Sequence, residues 1–463
     1  MRIFELIELG ARYLLVGILL AAVILALSFA VYRFVFKKKE IKKTKLLWWG
    51  IFISYTVVVL GATLMERGDF WQMDYIMPLF YSYKDAWISG LAVDWRNIIL
   101  NICMFMPLGF LLPLGTKFFK SFIKTSIAGL LFTLIIESAQ LYFHLGMFEL
   151  DDLMNNTVGT MIGYGFYVIY SYVVLKKSWT VKKLILAQLP FVVVTSAFLS
   201  LVIIYRCQEL GNLSSEYIIP VDTEKLTVSS EVEFSNERGK KLVYNCVSLS
   251  KQDAINFAQE FFGRLGTEID QDRKDFYDET AFFYSNDGNR YSVHIDYKGG
   301  TYSFTDFDTS FTDGIQVKPD ATEQEVRAVL ENYGIQIPEE IPMEYVDELE
   351  SYLFVFDKYE NGNDMFDGTV VAEYCDNDAF ANIRSSIVTC KAYKEFEIIS
   401  EREAYELICS GKFDYRVNAP LNVVIKECEI EYMVDSKGYY QPVYMFSCEI
   451  NGMERAIYIN AIS

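Results

Sequence analysis

The chain has 463 residues and a net charge of −19, with 52% hydrophobic and 22% charged residues. The excess of acid argues against a nucleic-acid-binding protein, because phosphate contacts need clustered Lys and Arg. The excess is not uniform. Residues 1–205 carry 19 Lys and Arg against 12 Asp and Glu, a net of +7, and the remaining 258 residues carry 23 against 49, a net of −26. Two solvents shaped the two halves, and the expectation is one membrane domain followed by one large soluble domain.

The first apolar run, Tyr13 to Phe36, is long enough to span a bilayer. It is followed by Lys37, Lys38, Lys39, Lys42, Lys43 and Lys45 rather than a small-residue cleavage site, so it reads as a retained transmembrane helix. Leu46 to Leu64 returns across the membrane, which makes residues 1–65 a pair of spans. The loop Met65 to Arg96 holds Trp71, Trp87 and Trp95, residues suited to the headgroup zone. Ile98 to Leu114 re-enters, and Pro107, Gly109 and Pro113 predict a kinked or re-entrant helix. Ile123 to Phe143, Leu153 to Leu175 and Leu184 to Tyr205 complete six spans. Lysines at 117, 120 and 124 and at 176, 177, 182 and 183 join the first cluster on one side, which the positive-inside rule makes cytoplasmic. That assignment puts the N-terminus and the acidic C-terminal domain outside.

Within residues 66–175, polar groups interrupt what otherwise reads as lipid-spanning helix. Asn97 and Asn101, Glu137 and Gln140, and Asp152 and Asn156 fall at helical spacing, so each pair shares a face. Asp151 precedes the last pair. Ionisable groups at membrane depth cost roughly 2.5 to 3.5 kcal/mol on insertion scales and persist where they face a bundle interior or a wet cavity. These seven residues are therefore the candidate ligand-binding set. Glu137 and Asp152 are the candidates for acid and base roles, with helix gluing as the structural alternative for Glu137 and helix capping for one of Asp151 and Asp152. Glu149 joins Asp151 and Asp152 as a conceivable cation site, but spacing alone does not show convergence and no metal is assigned. His144 stands between the acidic blocks as a proton relay or a structural residue, and His294 reads as an ordinary strand residue. Gly159-x-x-x-Gly163 allows close helix approach.

These residues resemble the VanZ-like family of bacterial membrane proteins. The resemblance rests on four ordered blocks: Tyr75-Ile-Met-Pro78-Leu-Phe80, Asn97 through Asn101 and Pro107-Leu-Gly109 to Pro113, Glu137-Ser-Ala-Gln140, and Asp151-Asp152-Leu-Met-Asn155-Asn156-Thr157-Val-Gly159. It covers roughly Trp71 to Val174. It implies an envelope protein linked to glycopeptide (teicoplanin) resistance, and the partner expected at the polar set is a membrane lipid or cell-wall precursor headgroup. The family usually places an Arg shortly before the Asp-Asp pair, where this chain has Gly146-Met147-Phe148-Glu149. The cofactor, if the chain uses one, is left open by these residues.

Residues 176–205 hold the last span, and residues 206–463 contain no run long enough to cross a bilayer. They alternate short amphipathic helices with strand patterns, as expected of an acidic α+β extracytoplasmic domain. Helices are predicted at Ser250–Gly266, Thr322–Asn332 and Ser400–Ser410, with hairpins through Lys298-Gly299-Gly300 and Asn361-Gly362, suggesting two copies of a helix-plus-hairpin unit. Asp306, Asp308 and Asp313 read as solvated acidic turns rather than a calcium loop. A Cys375–Cys390 disulfide is one conceivable pairing, with seven cysteines at or after Cys207 and connectivity open. Ile399 to Phe413 and Lys437 to Phe446 resemble YycH/YycI-type and PepSY-like extracytoplasmic modules, which implies an extracytoplasmic protein partner. The hydrolase, P-loop and dinucleotide motifs are missing. Three readings therefore stand: a headgroup-binding membrane protein, an enzyme using Glu137 and Asp152 on an envelope lipid, and a sensor with a partner-binding ectodomain.

Overall fold

The computed structural model describes Ile18, Ala22, residues 43–65 and residues 76–463, apart from Asp278, Asn363 and 416–419. The expected first span, Tyr13 to Phe36, and the aromatic loop around Trp71 lie outside the described residues. The chain divides into two compact units, one of Met1–Trp87 with Ala92–Gln208 and one of Ile88–Leu91 with Glu209–Ser463.

The first unit is helical: α1 (Lys43–Leu60), β1 (Ile76–Met77), α2 (Tyr81–Ser89), α3 (Ala92–Gly115), α4 (Phe122–Tyr142), β2 (Phe148–Glu149), α5 (Leu150–Val173) and α6 (Val181–Cys207). Among the described residues four helices are long and apolar enough to cross a membrane: Thr44–Leu64, Ala92–Gly115, Phe122–Tyr142 and Val181–Cys207. Their outward surfaces are apolar, with Ile123, Ile127, Leu131 and Ile135 exposed on α4 and Ile185, Leu189, Val192 and Val193 on α6. Bare aliphatic surface of this kind needs lipid rather than water. The 24-residue α5 opens with Asp151, Asp152, Asn155 and Asn156 and is not one of the four. Those residues are all buried, so α5 carries its polarity inward.

Residues Ala92–Gly115 form one uninterrupted helix with Pro107 and Pro113 inside it, so of the kinked and re-entrant alternatives the re-entrant one is not seen. The backbone beside each proline receives side-chain donors from α1: Tyr55 Oη donates to Met104 O at 2.9 Å and Trp48 Nε1 to Leu111 O at 2.8 Å. Glycines bring α3 and α5 into backbone contact. A Cβ on Gly159 would lie 2.0 Å from Ile102 O, and one on Gly163 would lie 1.9 Å from Met106 O. Only glycine permits this approach.

The second unit is built on a 14-stranded sheet that begins with β3 (Leu226–Ser230) and whose main path runs β3-β14-β15-β4-β13-β11-β12-β8-β7-β6-β5. Three helices begin with capping boxes: α7 (Lys251–Arg264) at Ser250/Asp253, α9 (Glu323–Asn332) at Thr322/Glu325 and α10 (Glu401–Cys409) at Ser400/Glu403. In each, hydroxyl and carboxylate satisfy orphan N–H groups reciprocally. The first precedes β5 (Ile269–Phe276), β6 (Thr280–Ser285), β7 (Tyr291–Asp296) and β8 (Tyr302–Asp306). The short α8 (Phe307–Phe311) follows, and α9 precedes β9 (Met343–Val346), β10 (Ser351–Asn361), β11 (Asp364–Tyr374) and β12 (Phe380–Ser385). The third helix precedes β14 (Leu421–Val434), β15 (Tyr439–Ile450) and β16 (Met453–Asn460). One core includes Phe262, Phe283, Phe304, Leu330, Phe354 and Phe380, and a second includes Ile408, Phe413, Val423, Phe446 and Ile457. Between them lie β4 (Gly239–Cys246) and β13 (Val388–Ile398).

The disulfide joins Cys246 to Cys390 across 144 residues, and Cys375 is a buried free thiol. Register decides the pairing. Cys246 stands directly opposite Cys390 in the β4–β13 ladder, whereas Met365 is the β11 residue opposite Cys390. Cys375 lies ten residues farther along, roughly 33 Å away at strand rise. Asp306 departs from the solvated turn expected of it. It is 1% exposed, caps α8 by accepting from Asp308 N and Thr309 N, and pairs with Arg290 at 3.2 Å.

Candidate functional site

The polar residues of the first unit gather around the start of α5. A two-residue parallel ladder pairs Ile76 with Phe148 and Met77 with Glu149, and so brings the approach to α2 beside the approach to α5. Asp151 then accepts from Phe80 N at 2.5 Å and Ser82 N at 2.8 Å. It therefore caps α2 rather than its own helix, where an anion also meets the positive end of the helix dipole. Glu149 Oε2 accepts from Ser82 Oγ at 3.0 Å.

One turn on, Tyr83 Oη donates to Asn155 Oδ1 at 2.6 Å. Asp151 and Asn155 thus form one face of α5, directed at α2. The Tyr83 hydroxyl is raised to about 12, first by burial and then by the charges of Asp151 and Asp152, so it stays protonated and keeps its donor role. Asp152 and Asn156 form the adjacent face. Asn101 Nδ2 of α3 donates to Asp152 Oδ1 at 2.5 Å, and Asn156 Nδ2 donates to Thr133 Oγ1 of α4 at 2.9 Å.

Glu137 Oε2 accepts from Glu149 N at 3.2 Å, which ties the end of α4 to the turn before α5. Gln140 Nε2 donates to Thr63 O at 2.9 Å and ties it to the end of α1. Of the seven residues singled out from the sequence, six take part in this network, and Asn97 lies exposed on α3 outside it. His144 is exposed and ends α4 in a left-handed conformation (φ 54°), a backbone role.

Burial is nearly complete. Glu137, Gln140 and Asp151 are 1% exposed, Asn155 2%, Asn156 3% and Asp152 8%. Several polar atoms here make no hydrogen bond among the described residues: Gln140 Oε1, Asn155 Nδ2, Asn156 Oδ1 and Thr157 Oγ1. Leaving a buried donor or acceptor unsatisfied costs about 1–3 kcal/mol, so such atoms are places where a ligand or water gains most. The arrangement supplies both donors and acceptors, from carboxamides as well as carboxylates. Among the described residues no group of three or more His, Cys, Asp and Glu side chains is arranged to hold a metal ion.

Aromatic rings mark the same end of the bundle. Tyr83 packs on Trp95 and Phe198, Trp95 packs on Phe198, and Trp87 packs on Tyr205. Trp and Tyr concentrate at membrane–water interfaces. Ser82, Tyr83, Thr133 and Asn155 were absent from the sequence-derived set. Asn155 was legible, since it stands four residues after Asp151 on one helical face, and Thr133 stands four before Glu137 in the same way; Ser82 and Tyr83 lie on a short helix outside the apolar runs.

Residues 19–174 match the VanZ/LLP1 family. That interval holds every residue of the polar network, and it is about a third of the chain. No curated protein matches the chain. A solved structure of an uncharacterized protein from Eubacterium rectale resembles it at 12% identity and a TM-score of 0.27, over 52% of this chain and 90% of the other.

Proposed function

We propose that this VanZ-like membrane protein binds the headgroup of a membrane lipid or cell-wall precursor at the outer leaflet, through the polar network around the start of α5. The observation that carries the reading is the set of buried hydrogen-bonding atoms on Gln140, Asn155, Asn156 and Thr157 that have no hydrogen-bond partner among the described residues, beside groups that are paired to one another. Intramembrane polar groups facing a bundle interior mark substrate sites by default. Binding rather than turnover is favoured because the carboxylates of Asp151 and Asp152 already accept from a helix N-terminus and from Asn101. The family resemblance adds a contribution to glycopeptide (teicoplanin) tolerance.

The outward orientation has two independent supports. Lys43 and Lys45 begin α1, Lys117 and Lys120 follow α3, Lys124 begins α4, Lys176 and Lys177 follow α5, and Lys182 and Lys183 begin α6. All of these helix ends lie opposite the polar network, so the positive-inside rule directs the network outward. The C-terminal unit follows the other end of α6 and contains the Cys246–Cys390 disulfide, a bond that persists in oxidising compartments.

The test is lipid retention by the purified full-length protein. Native mass spectrometry of the wild type and of Asn155→Ala, Asn156→Ala and Asp152→Asn variants, each checked for an unchanged melting temperature in detergent, should show a headgroup-specific adduct lost in the variants. Equal retention by well-folded variants would overturn the reading. Teicoplanin susceptibility of cells expressing the same set then asks whether binding and tolerance move together.

A further inference from the structure

The second unit holds a cluster of titratable and aromatic side chains that neither the membrane network nor the two cores use. Tyr244, Tyr432 and Tyr440 stand together, with ring centroids 5.7 Å apart for the first two and 5.3 Å for the last two. Tyr440 is paired in register with Tyr244 across the β15–β4 ladder. Behind them lie Met365, Val388 and the Cys246–Cys390 disulfide. Asp367, 9% exposed, accepts from Tyr440 Oη at 2.9 Å. Glu431 is half-buried nearby, and burial is the main cause that raises its carboxyl above the ordinary range.

Lys358 reaches this cluster from β10. The β10–β11 register slips between Phe356 and Tyr359, which makes a bulge with Lys358 at φ 47°. A left-handed backbone is uncommon for lysine and is held here by Lys358 N donating to Asp367 Oδ1 at 3.2 Å. Bulges of this kind re-aim side chains. The re-aimed ammonium lies over the Tyr432 ring, 5.5 Å from its centroid, and its positive charge acts on both Glu431 and Tyr244.

The Tyr432 face, with Tyr244 and Tyr440 beside it and the Asp367 carboxylate hydrogen-bonded to Tyr440, forms a setting that recognises an ammonium, because the ring presents its negative face and the acid supplies counter-charge. The geometry points to a binding site for a primary alkylammonium, the group at the end of a lysine side chain, whose resting occupant is the protein's own Lys358. The site belongs to the C-terminal unit and is independent of the headgroup reading above. An incoming lysine-type ammonium exchanges with Lys358, whose side chain swings into solvent by rotation of its own bonds; no covalent step is involved. The occupant is of this class because the resident ammonium pairs with Asp357 at 3.5 Å while it lies over Tyr432, and Glu360 adds negative charge near Tyr244.

The experiment uses full-length protein in detergent with three probes: cadaverine, N-acetyl-lysine amide and the uncharged N-acetyl-norleucine amide. Lys358→Gly suits the left-handed backbone and removes the resident ammonium. Saturation-transfer NMR and calorimetry should give binding of both charged probes at least tenfold tighter in Lys358→Gly than in the wild type, with none of the neutral probe. Adding Tyr432→Leu should weaken the gain at least tenfold, and adding Tyr432→Phe should largely preserve it, because the ring face remains. Lys358→Met gives a second route to the emptied site should the glycine alter the bulge. Charged-probe affinity unchanged by either Lys358 substitution, or equal binding of the norleucine probe, would overturn the assignment.

Discussion

Asn101 Nδ2 donates to Asp152 Oδ1 at 2.5 Å, a hydrogen bond that joins the third turn of α3 to the first turn of α5. Glu137, on α4, accepts from the Glu149 backbone instead. These two hydrogen bonds of Asp152 and Glu137 therefore run to different groups, and mutational coupling through them should follow those groups.

In detergent, a double-mutant cycle of Asn101→Ala with Asp152→Asn should give a coupling of roughly 0.5–3 kcal/mol in thermal or denaturant unfolding, the range for residues in direct contact. Glu137→Gln with Asn101→Ala should add within about 0.5 kcal/mol, because no hydrogen bond links them. Coupling of equal size in both cycles would mean that the network behaves as one unit rather than as separate ties.

Close packing of α3 on α5 gives a second expectation. Gly163→Ala puts a methyl where only 1.9 Å separates it from Met106 O, a backbone atom that moves only with its helix. The substitution should destabilise the helical unit by about 1–3 kcal/mol, as overpacking does. Gly263, on α7, has nothing within 4 Å of its Cβ position, and Gly263→Ala should be neutral or stabilising by up to about 1 kcal/mol. Differential scanning of the two variants separates the effects by sign.

What the sequence revealed depended on whether a signal was local. Apolar runs made α1, α3, α4 and α6 legible because length and hydropathy alone define a span. Polar residues in and beside apolar runs made Glu137 on α4 and Asp152 and Asn156 on α5 legible. Ser82 and Tyr83 were not, since they belong to the nine-residue α2, whose composition carries no functional signal. Capping boxes marked the starts of α7, α9 and α10 because they span four residues. The parallel pairing of β3 with β14 joins strands about 195 residues apart, a choice no local pattern encodes. The Cys246–Cys390 pairing failed to appear in the spacing for the same reason, and Asp306 read as solvated because only the fold brings Arg290 to it.

The disulfide gives a third expectation, with a readout for compartment as well as stability. Removing a native disulfide typically costs about 2–5 kcal/mol, and a loop of 144 residues lies toward the high end of the chain-entropy account. Cys246→Ser with Cys390→Ser should lower the melting temperature of the C-terminal unit, and a reductant should lower the wild type to match. Alkylation of cells before lysis should leave both cysteines unmodified until reduction. Modification without reductant would mean that the pair is a dithiol in the cell.

Two capping glutamates set the last expectation. Glu403 is held at about 2, against an ordinary 4.5, first by the Arg238 side chain and then by the Ser400 backbone N–H. Glu325 is held at about 2 by the Thr322 backbone and side chain and by Lys318. In both cases the folded state favours the charged carboxylate, so the unfolded chain binds more protons as the pH falls through this range. The stability these groups contribute is present above about pH 4.5 and is lost progressively as pH falls toward 2. Both side chains are exposed to solvent and salt, which weakens the effect and makes it dependent on ionic strength. Melting of the C-terminal unit should therefore fall between pH 4.5 and 2 with a shallower slope in Glu403→Gln and Glu325→Gln, and a shallower slope still in the double variant. Arg238→Met should reproduce part of the Glu403→Gln effect, because the Ser400 N–H still reaches the carboxylate. An unchanged pH slope in all four variants would mean that other carboxylates carry the acid sensitivity of this unit.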